Sequence, residues 1–332
     1  MLSNKTVLIT GGTGSFGSNF AKFILENYQV KKLIIFSRDE LKQWQMSQEL
    51  NDKRLRFFLG DVRDLPRLQR AFHEVDIVIH AAALKQVPTL EYNPFEAIKT
   101  NIFGSQNVID AAIDQGVQKV VLISTDKAAH PINLYGSTKL CAEKMFVNAN
   151  SYSAGKTKFS CVRYGNVLGS RGSIVESLLK IRSGQSQDKV YVTDERMTRF
   201  WISFEQAFDL VLFTLANMRG GEIFIPKIKS MKLVDLFEAI VPGVSREVIG
   251  IRPGEKLHEI LLTEDEGRHA VELEKYFLVL PEYKEFFNVE QKFDQLLSSS
   301  KPLPPEFSFR SNTNQDWLTP ADLQAMVLKD KK

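Results

Sequence analysis

The stretch Thr6-Val7-Leu8-Ile9-Thr10-Gly11-Gly12-Thr13-Gly14-Ser15-Phe16-Gly17 decides the fold of this chain. A short apolar run enters a glycine-punctuated turn, and an amphipathic stretch over residues 19–26 follows. Gly11, Gly14 and Gly17 allow a tight turn, close approach of main chain to a pyrophosphate, and close packing of helix on strand. The start of the helix supplies amide donors and the positive end of a dipole. Thr13, Ser15 and Phe16 complete what reads as a dinucleotide-binding turn. Three glycines alone are a weak signal; the strand–turn–helix setting makes them specific.

Working outward, apolar runs at 32–36, 55–59, 77–80, 119–123 and 159–163 predict further strands. Helical stretches at 65–72 and 95–115 lie between them. The runs are apolar almost throughout, as strands are when helices cover both faces of a sheet. The alternation predicts an α/β protein, a Rossmann-type doubly wound parallel sheet with a smaller, interleaved C-terminal substrate-binding lobe. Residues 1–165 form the cofactor domain in this reading, with later strands returning to it, and 166–332 are mainly substrate lobe and tail. There 165–172 reads as a loop, 174–183, 204–218 and 233–240 as helices, and the Ser- and Pro-rich 298–305 as irregular. Thr319 and Pro320 suit the N-cap and first position of a last helix.

Composition narrows the function. A net charge of +3 from 43 basic and 40 acidic residues gives no electrostatic case for nucleic acid or a membrane surface. Cys141 and Cys161 fit no metal or redox spacing, so no metal is expected. No apolar run approaches the roughly 18 residues that a membrane span needs. Met1–Lys5 lead straight into the first strand and leave no room for a signal peptide, so the expected compartment is the cytoplasm.

After the second strand, Ser37 and Arg38 offer a hydroxyl and a guanidinium to a 2′-phosphate, which points to NADP; Asp39 leaves NAD open. Asp61 and Val62 suit an adenine edge. Ala81 and Ala82 leave room for a nicotinamide ribose, or simply pack. Tyr135 and Lys139 lie four apart on one helix face, where the ammonium can lower the phenol's pKa and the phenol can accept a hydroxyl proton. Just upstream, Thr125-Asp126-Lys127 adds a carboxylate and a second amine, more than hydride transfer alone requires. Such a pair is commonly a surface ion pair of little consequence, but the end of a strand beside the switch-point crevice favours a catalytic role. Phe204, Phe208 and Phe213 recur at helical spacing and read as core; His258 reads as structural, and Arg196 and Arg199 offer two further cations unless Arg199 packs on the aromatics that follow it.

The glycine turn, His80-Ala81-Ala82-Ala83 and Tyr135-x-x-x-Lys139 together resemble the extended short-chain dehydrogenase/reductase family. Ser124 through Ala129 and Pro131 through Gly136 are more specific. They resemble the nucleotide-sugar 4,6-dehydratases acting on UDP-N-acetylglucosamine, above all the soluble C5-inverting group of pseudaminic acid biosynthesis. Ala83 through Pro88, Arg163 through Val167, Gly169 through Gly172, Met197 through Phe200, Arg252 through Lys256 and Asn312 through Leu318 extend the likeness over nearly the whole chain. His130 stands where that group more often has Asn.

The resemblance implies NADP, tightly bound and regenerated in each turnover, and UDP-N-acetylglucosamine as the substrate, giving UDP-2-acetamido-2,6-dideoxy-β-L-arabino-hex-4-ulose. Tyr135 with Lys139 would deprotonate the C4 hydroxyl, Lys127 would act at C5 if its pKa were held near neutrality, Asp126 would protonate the departing C6 hydroxyl, and Thr125 would assist. Lys85, Asn166, Arg171 and Thr193 are implied at the substrate, joined by Arg252 for phosphate and Glu255 for a ribose hydroxyl. A homo-oligomer is also implied. A retaining 4,6-dehydratase shares most of these residues, a C4-epimerase of UDP-hexosamines needs no Asp126–Lys127, and a non-catalytic cofactor sensor would typically have lost Tyr135 or Lys139.

Overall fold

Six parallel strands carry the computed structural model, which describes residues 1–185, 189–283 and 287–329. They are β1 (Thr6–Thr10), β2 (Lys32–Ser37), β3 (Leu55–Leu59), β4 (Ile77–His80), β5 (Lys119–Ile123) and β6 (Lys158–Val162). The chain returns to the sheet later with β7 (Ile223–Pro226), β8 (Ala270–Glu272), β9 (Tyr276–Val279) and β10 (Lys301–Pro302). The order is β10-β8-β9-β7-β6-β5-β4-β1-β2-β3, with β7 parallel to β6 and antiparallel to β9. The strand order reverses between β1 and β4, which places a crevice at their C-terminal ends. Every residue of β1 and β4 is buried, the result of helices on both faces.

Two expectations are corrected. The Ser- and Pro-rich 298–305 segment is not wholly irregular, because Lys301 and Pro302 form the edge strand β10 on β8. The single helix expected over 95–115 is divided into Pro94–Ile98, a wide π turn Lys99–Phe103, and Gly104–Asp114. The wide turn holds Asn101, whose side-chain amide bonds both main-chain groups of Leu84 at 2.9 Å. Such turns commonly mark functional positions; this one pins the segment carrying Lys85.

A second core fills the other lobe, built from Leu168, Met197, Trp201, Met231, Phe237 and Leu323 around the buried strand Thr198–Ile202. Arg163, fully buried, ties together segments distant in sequence. It meets Glu143 of the helix Leu134–Tyr152 at 2.6 Å and Glu266 at 2.8 Å, and donates to the Leu261 carbonyl at 2.9 Å. Among the described residues, no helix is long and apolar enough to cross a membrane, and no cluster could hold a metal ion.

Candidate active site

The glycine turn lies where β1 meets β4. Gly11 has φ +65°, and a side chain there would meet the Ala82 main chain at 2.8 Å, so both the conformation and the space require glycine. Gly17 is as tightly placed, since a side chain there would lie 2.6 Å from the Gly11 carbonyl. Gly14 caps the helix Ser15–Asn27 without a side-chain hydrogen bond, leaving the first amides to an anion. These features fit a dinucleotide pyrophosphate. The ring of Phe16 packs on Phe20 and Phe208, so its contribution to the turn is made by main chain.

Arg171 adjoins this turn, donating to the Thr13 carbonyl at 2.6 Å and through its main chain to Ser15 Oγ at 3.0 Å. The structure thus sets a residue expected at the substrate against the cofactor turn, and its carbonyl accepts from Lys85 Nζ at 3.4 Å. Ser37 Oγ is engaged by Gln43. Arg38 is half exposed and 3.6 Å from Asp61. Asp61 is bonded by Arg63, which holds its carboxyl below the usual range although burial opposes this. Val62 is buried against Gly104. Asp39 caps the helix Glu40–Leu50 through the Lys42 amide, an internal task for the carboxylate that would otherwise favour NAD.

The residues expected to be catalytic gather where β5 ends. Asp126–Ala128 form a single 3-10 turn capped by Thr125, and Leu134–Tyr152 follows, capped by Asn133 through the Gly136 amide at 2.8 Å. A side chain at Gly136 would lie 2.2 Å from the Lys127 carbonyl, so the absence of one there lets the helix press against the turn. Asp126 is fully buried; its Oδ1 accepts from Thr125 Oγ1 at 2.9 Å and from Lys127 Nζ at 3.0 Å, and its Oδ2 has no hydrogen-bond partner among the described residues.

Burial pushes the Tyr135 phenol up to about 12, with Lys127 and a side-chain hydrogen bond to Thr125 acting against it. This corrects the expected pairing, since the cation acting on the phenol is Lys127. Lys139 instead donates to the Ile123 carbonyl at 2.8 Å, and burial lowers it to about 8. The neutrality expected of Lys127 is also not met. Burial alone would lower its pKa, but Asp126 and Glu259 together raise it, so the resting side chain is an ammonium.

Glu259, which the sequence reading did not single out, also lies against Lys127. Its Oε1 lies 3.5 Å from Lys127 Nζ and 3.8 Å from Arg199 Nε, and its Oε2 has no hydrogen-bond partner among the described residues. Its one sequence signal was a carboxylate just beyond Arg252-Pro253-Gly254-Glu255-Lys256. Arg199 is likewise corrected: it donates to the Thr198 and Leu257 carbonyls and approaches Glu255 at 3.5 Å, while no aromatic contact is found for it among the described residues.

Gly254, at φ +75°, accepts from Asn133 Nδ2 at 2.7 Å, and Lys256 donates to the Ala129 carbonyl at 2.6 Å. The C-terminal turn is thereby docked on the cap of the catalytic helix. Arg252 stands exposed at its rim. Asn166 pairs with Trp201, and the buried Thr193 hydroxyl is directed to Met197. His258 bonds Thr198 Oγ1 at 2.9 Å.

This arrangement has counterparts in known proteins. A UDP-N-acetylglucosamine 4,6-dehydratase (inverting) of Campylobacter jejuni strain 81-176 is 49% identical over 98% of both chains. A UDP-glucose 4-epimerase of Rickettsia felis is 43% identical over 84% of each. The X-ray structure of Pen from Bacillus thuringiensis superposes with a TM-score of 0.88 at 36% identity, covering 100% of this chain and 99% of that one. Residues 7–281 match the family described as polysaccharide biosynthesis protein. The chain belongs to this family, a branch of the extended short-chain dehydrogenase/reductases.

Proposed function

We propose that the chain is an NADP-dependent UDP-N-acetylglucosamine 4,6-dehydratase that inverts C5 and works in the cytoplasm as a homo-oligomer. One observation carries the reading: a buried carboxylate and a lysine share a 3.0 Å hydrogen bond beside Tyr135. An epimerase has no task for that pair. The 49% identity to the inverting dehydratase, set against 43% to the epimerase, supports the same choice.

The bound nicotinamide supplies a hydride acceptor at C4 and later a donor at C6, so none is consumed. The chain's own residues move the protons. Tyr135 takes the C4 hydroxyl proton, and Lys127 with Thr125 are the neighbours favouring its phenolate. Shifting one proton from Lys127 Nζ to Asp126 Oδ1 turns the ion pair into an amine and a carboxylic acid. The amine removes the C5 proton, the acid protonates the C6 hydroxyl, water leaves and a C5–C6 double bond forms. The pair is then again ammonium and carboxylate.

Lys127 then gives its proton to C5, and delivery on the opposite face of the turned ring gives inversion and leaves the pair one proton short. One proton must finally pass from Tyr135 to Asp126, and Thr125 is hydrogen-bonded to both. The working pair holds a single proton between its members, so its rate should be bell-shaped in pH. NADP specificity rests on Arg38 and on the engagement of Asp39 as a cap.

Proton NMR of the purified protein with UDP-N-acetylglucosamine in D₂O tests the reading. The expected product is a 6-deoxy-4-keto sugar of L-arabino configuration with deuterium at C5. A D-xylo product would show retention, and a C4 epimer with an intact C6 hydroxyl would overturn the dehydratase.

A further inference from the structure

We infer that Glu259 is a positioning residue for the acid–base pair, acting through Lys127 Nζ. The inference rests on the dehydratase reading for its catalytic consequence. Glu259 is 2% exposed and comes from a segment remote in sequence from Asp126. Its main chain is fixed on both sides by Ser311: the Glu259 amide donates to Ser311 Oγ at 2.9 Å, and its carbonyl accepts from the Ser311 amide at 2.9 Å. The carboxylate therefore occupies a set place, with Oε1 3.5 Å from Lys127 Nζ.

A buried carboxylate is costly unless paired. Lys127, Arg199 at 3.8 Å and Lys256 at 3.9 Å together supply the compensation. Arg199 is itself anchored by two carbonyls and Lys256 by one, so neither long side chain is at liberty to replace Lys127. Lys127 has no such anchor on a carbonyl among the described residues; Asp126 and Glu259 alone define where its nitrogen rests.

The groups facing Lys127 come from every surrounding element. Asp126 lies on its own turn, Tyr135 on the following helix and Lys85 beyond β4; Arg199 comes from the strand Thr198–Ile202, and Lys256 and Glu259 from the docked C-terminal segment. Asp126 and Glu259 raise the proton affinity of Lys127; Arg199 lowers it, and Lys85 and Lys256 are cations in the same field. Removing the Glu259 charge leaves this field more positive. Lys127 should then give up its proton at lower pH, by about one unit for a charge at this separation.

The test compares Glu259→Gln and Glu259→Asp with the unaltered protein by two readouts. The first is the pH profile of kcat and KM for UDP-N-acetylglucosamine. The second is the Cε resonance of Lys127 against pH in protein labelled with ¹³C-lysine, assigned by its loss in Lys127→Arg. In Glu259→Gln the alkaline limb of kcat should move about one unit toward acid with KM within twofold. Lys127 should titrate correspondingly lower, and Glu259→Asp should fall between.

A kcat loss with an unmoved bell and an unmoved resonance would mean a merely structural role and overturn the inference. If Glu259→Gln does not fold, Glu259→Asp is read by the same two criteria. Should the unaltered protein form no dehydrated sugar, the dehydratase reading fails; the resonance still decides whether Glu259 governs Lys127.

Discussion

At the scale of single residues, Lys127 shows why charge state is a property of a group. Its nitrogen is shared by two carboxylates, and its neutral form becomes available only when the proton moves to one of them. Lys127→Ala should therefore abolish dehydration while leaving the glycine turn able to hold NADP, as cofactor fluorescence titration would check. Full turnover by this variant would refute the assignment. Gly136→Ala is the sharper probe, because the added methyl must displace the Lys127 carbonyl. A misplacement near 1 Å commonly costs about 100-fold in rate; kcat should fall to that extent with far-UV circular dichroism unchanged. His130 adopts φ +46°, a left-handed conformation that Asn tolerates better than His. His130→Asn should raise the melting temperature by recovering a fraction of the roughly 1–2 kcal/mol that such a backbone costs.

At the scale of elements, the Asn133 cap serves two parts of the chain. Its Oδ1 satisfies the Gly136 amide, and its Nδ2 donates to the Gly254 carbonyl. Asn133→Ala should lose about 1 kcal/mol from the cap, read as a lower denaturant midpoint. It should also raise KM more than it lowers kcat, because the turn carrying Arg252 and Glu255 loses its mooring. The strands around the glycine turn were legible because burial on both faces writes an unbroken apolar run, and Tyr135 with Lys139 were legible because both lie on one helix. The π turn was not, since its widening serves Asn101, whose partner Leu84 is set by tertiary packing. Glu259 was missed and Arg199 misread for the same reason: their partners are brought together only when the C-terminal turn docks. The placement of Arg171 on the glycine turn likewise depends on a contact between distant segments.

At the scale of the molecule, Arg163 ties β6, the catalytic helix and the short helix Glu264–Gly267 into one unit. Burial opposes ionisation of Glu266, but Arg163 prevails and lowers it to about 2 from an ordinary 4.5. A depressed carboxyl contributes stability that is complete above pH 4.5 and disappears as the pH falls through 2. Glu266→Gln should therefore melt lower at neutral pH, yet lose less stability than the unaltered protein between those two values. Differential scanning calorimetry across that range checks both, and parallel curves would refute the assignment.

The return of the chain to its own sheet has a consequence for synthesis. β6 is made well before β7, its partner, with roughly sixty residues intervening, and β8, β9 and β10 follow later still. At a translation rate of about 5–20 residues per second, a nascent chain leaves the β6 edge open for several seconds. An unpaired apolar edge is a template for pairing with other chains. The late return that completes the sheet therefore makes the growing polypeptide, rather than the finished protein, the form most in need of a chaperone.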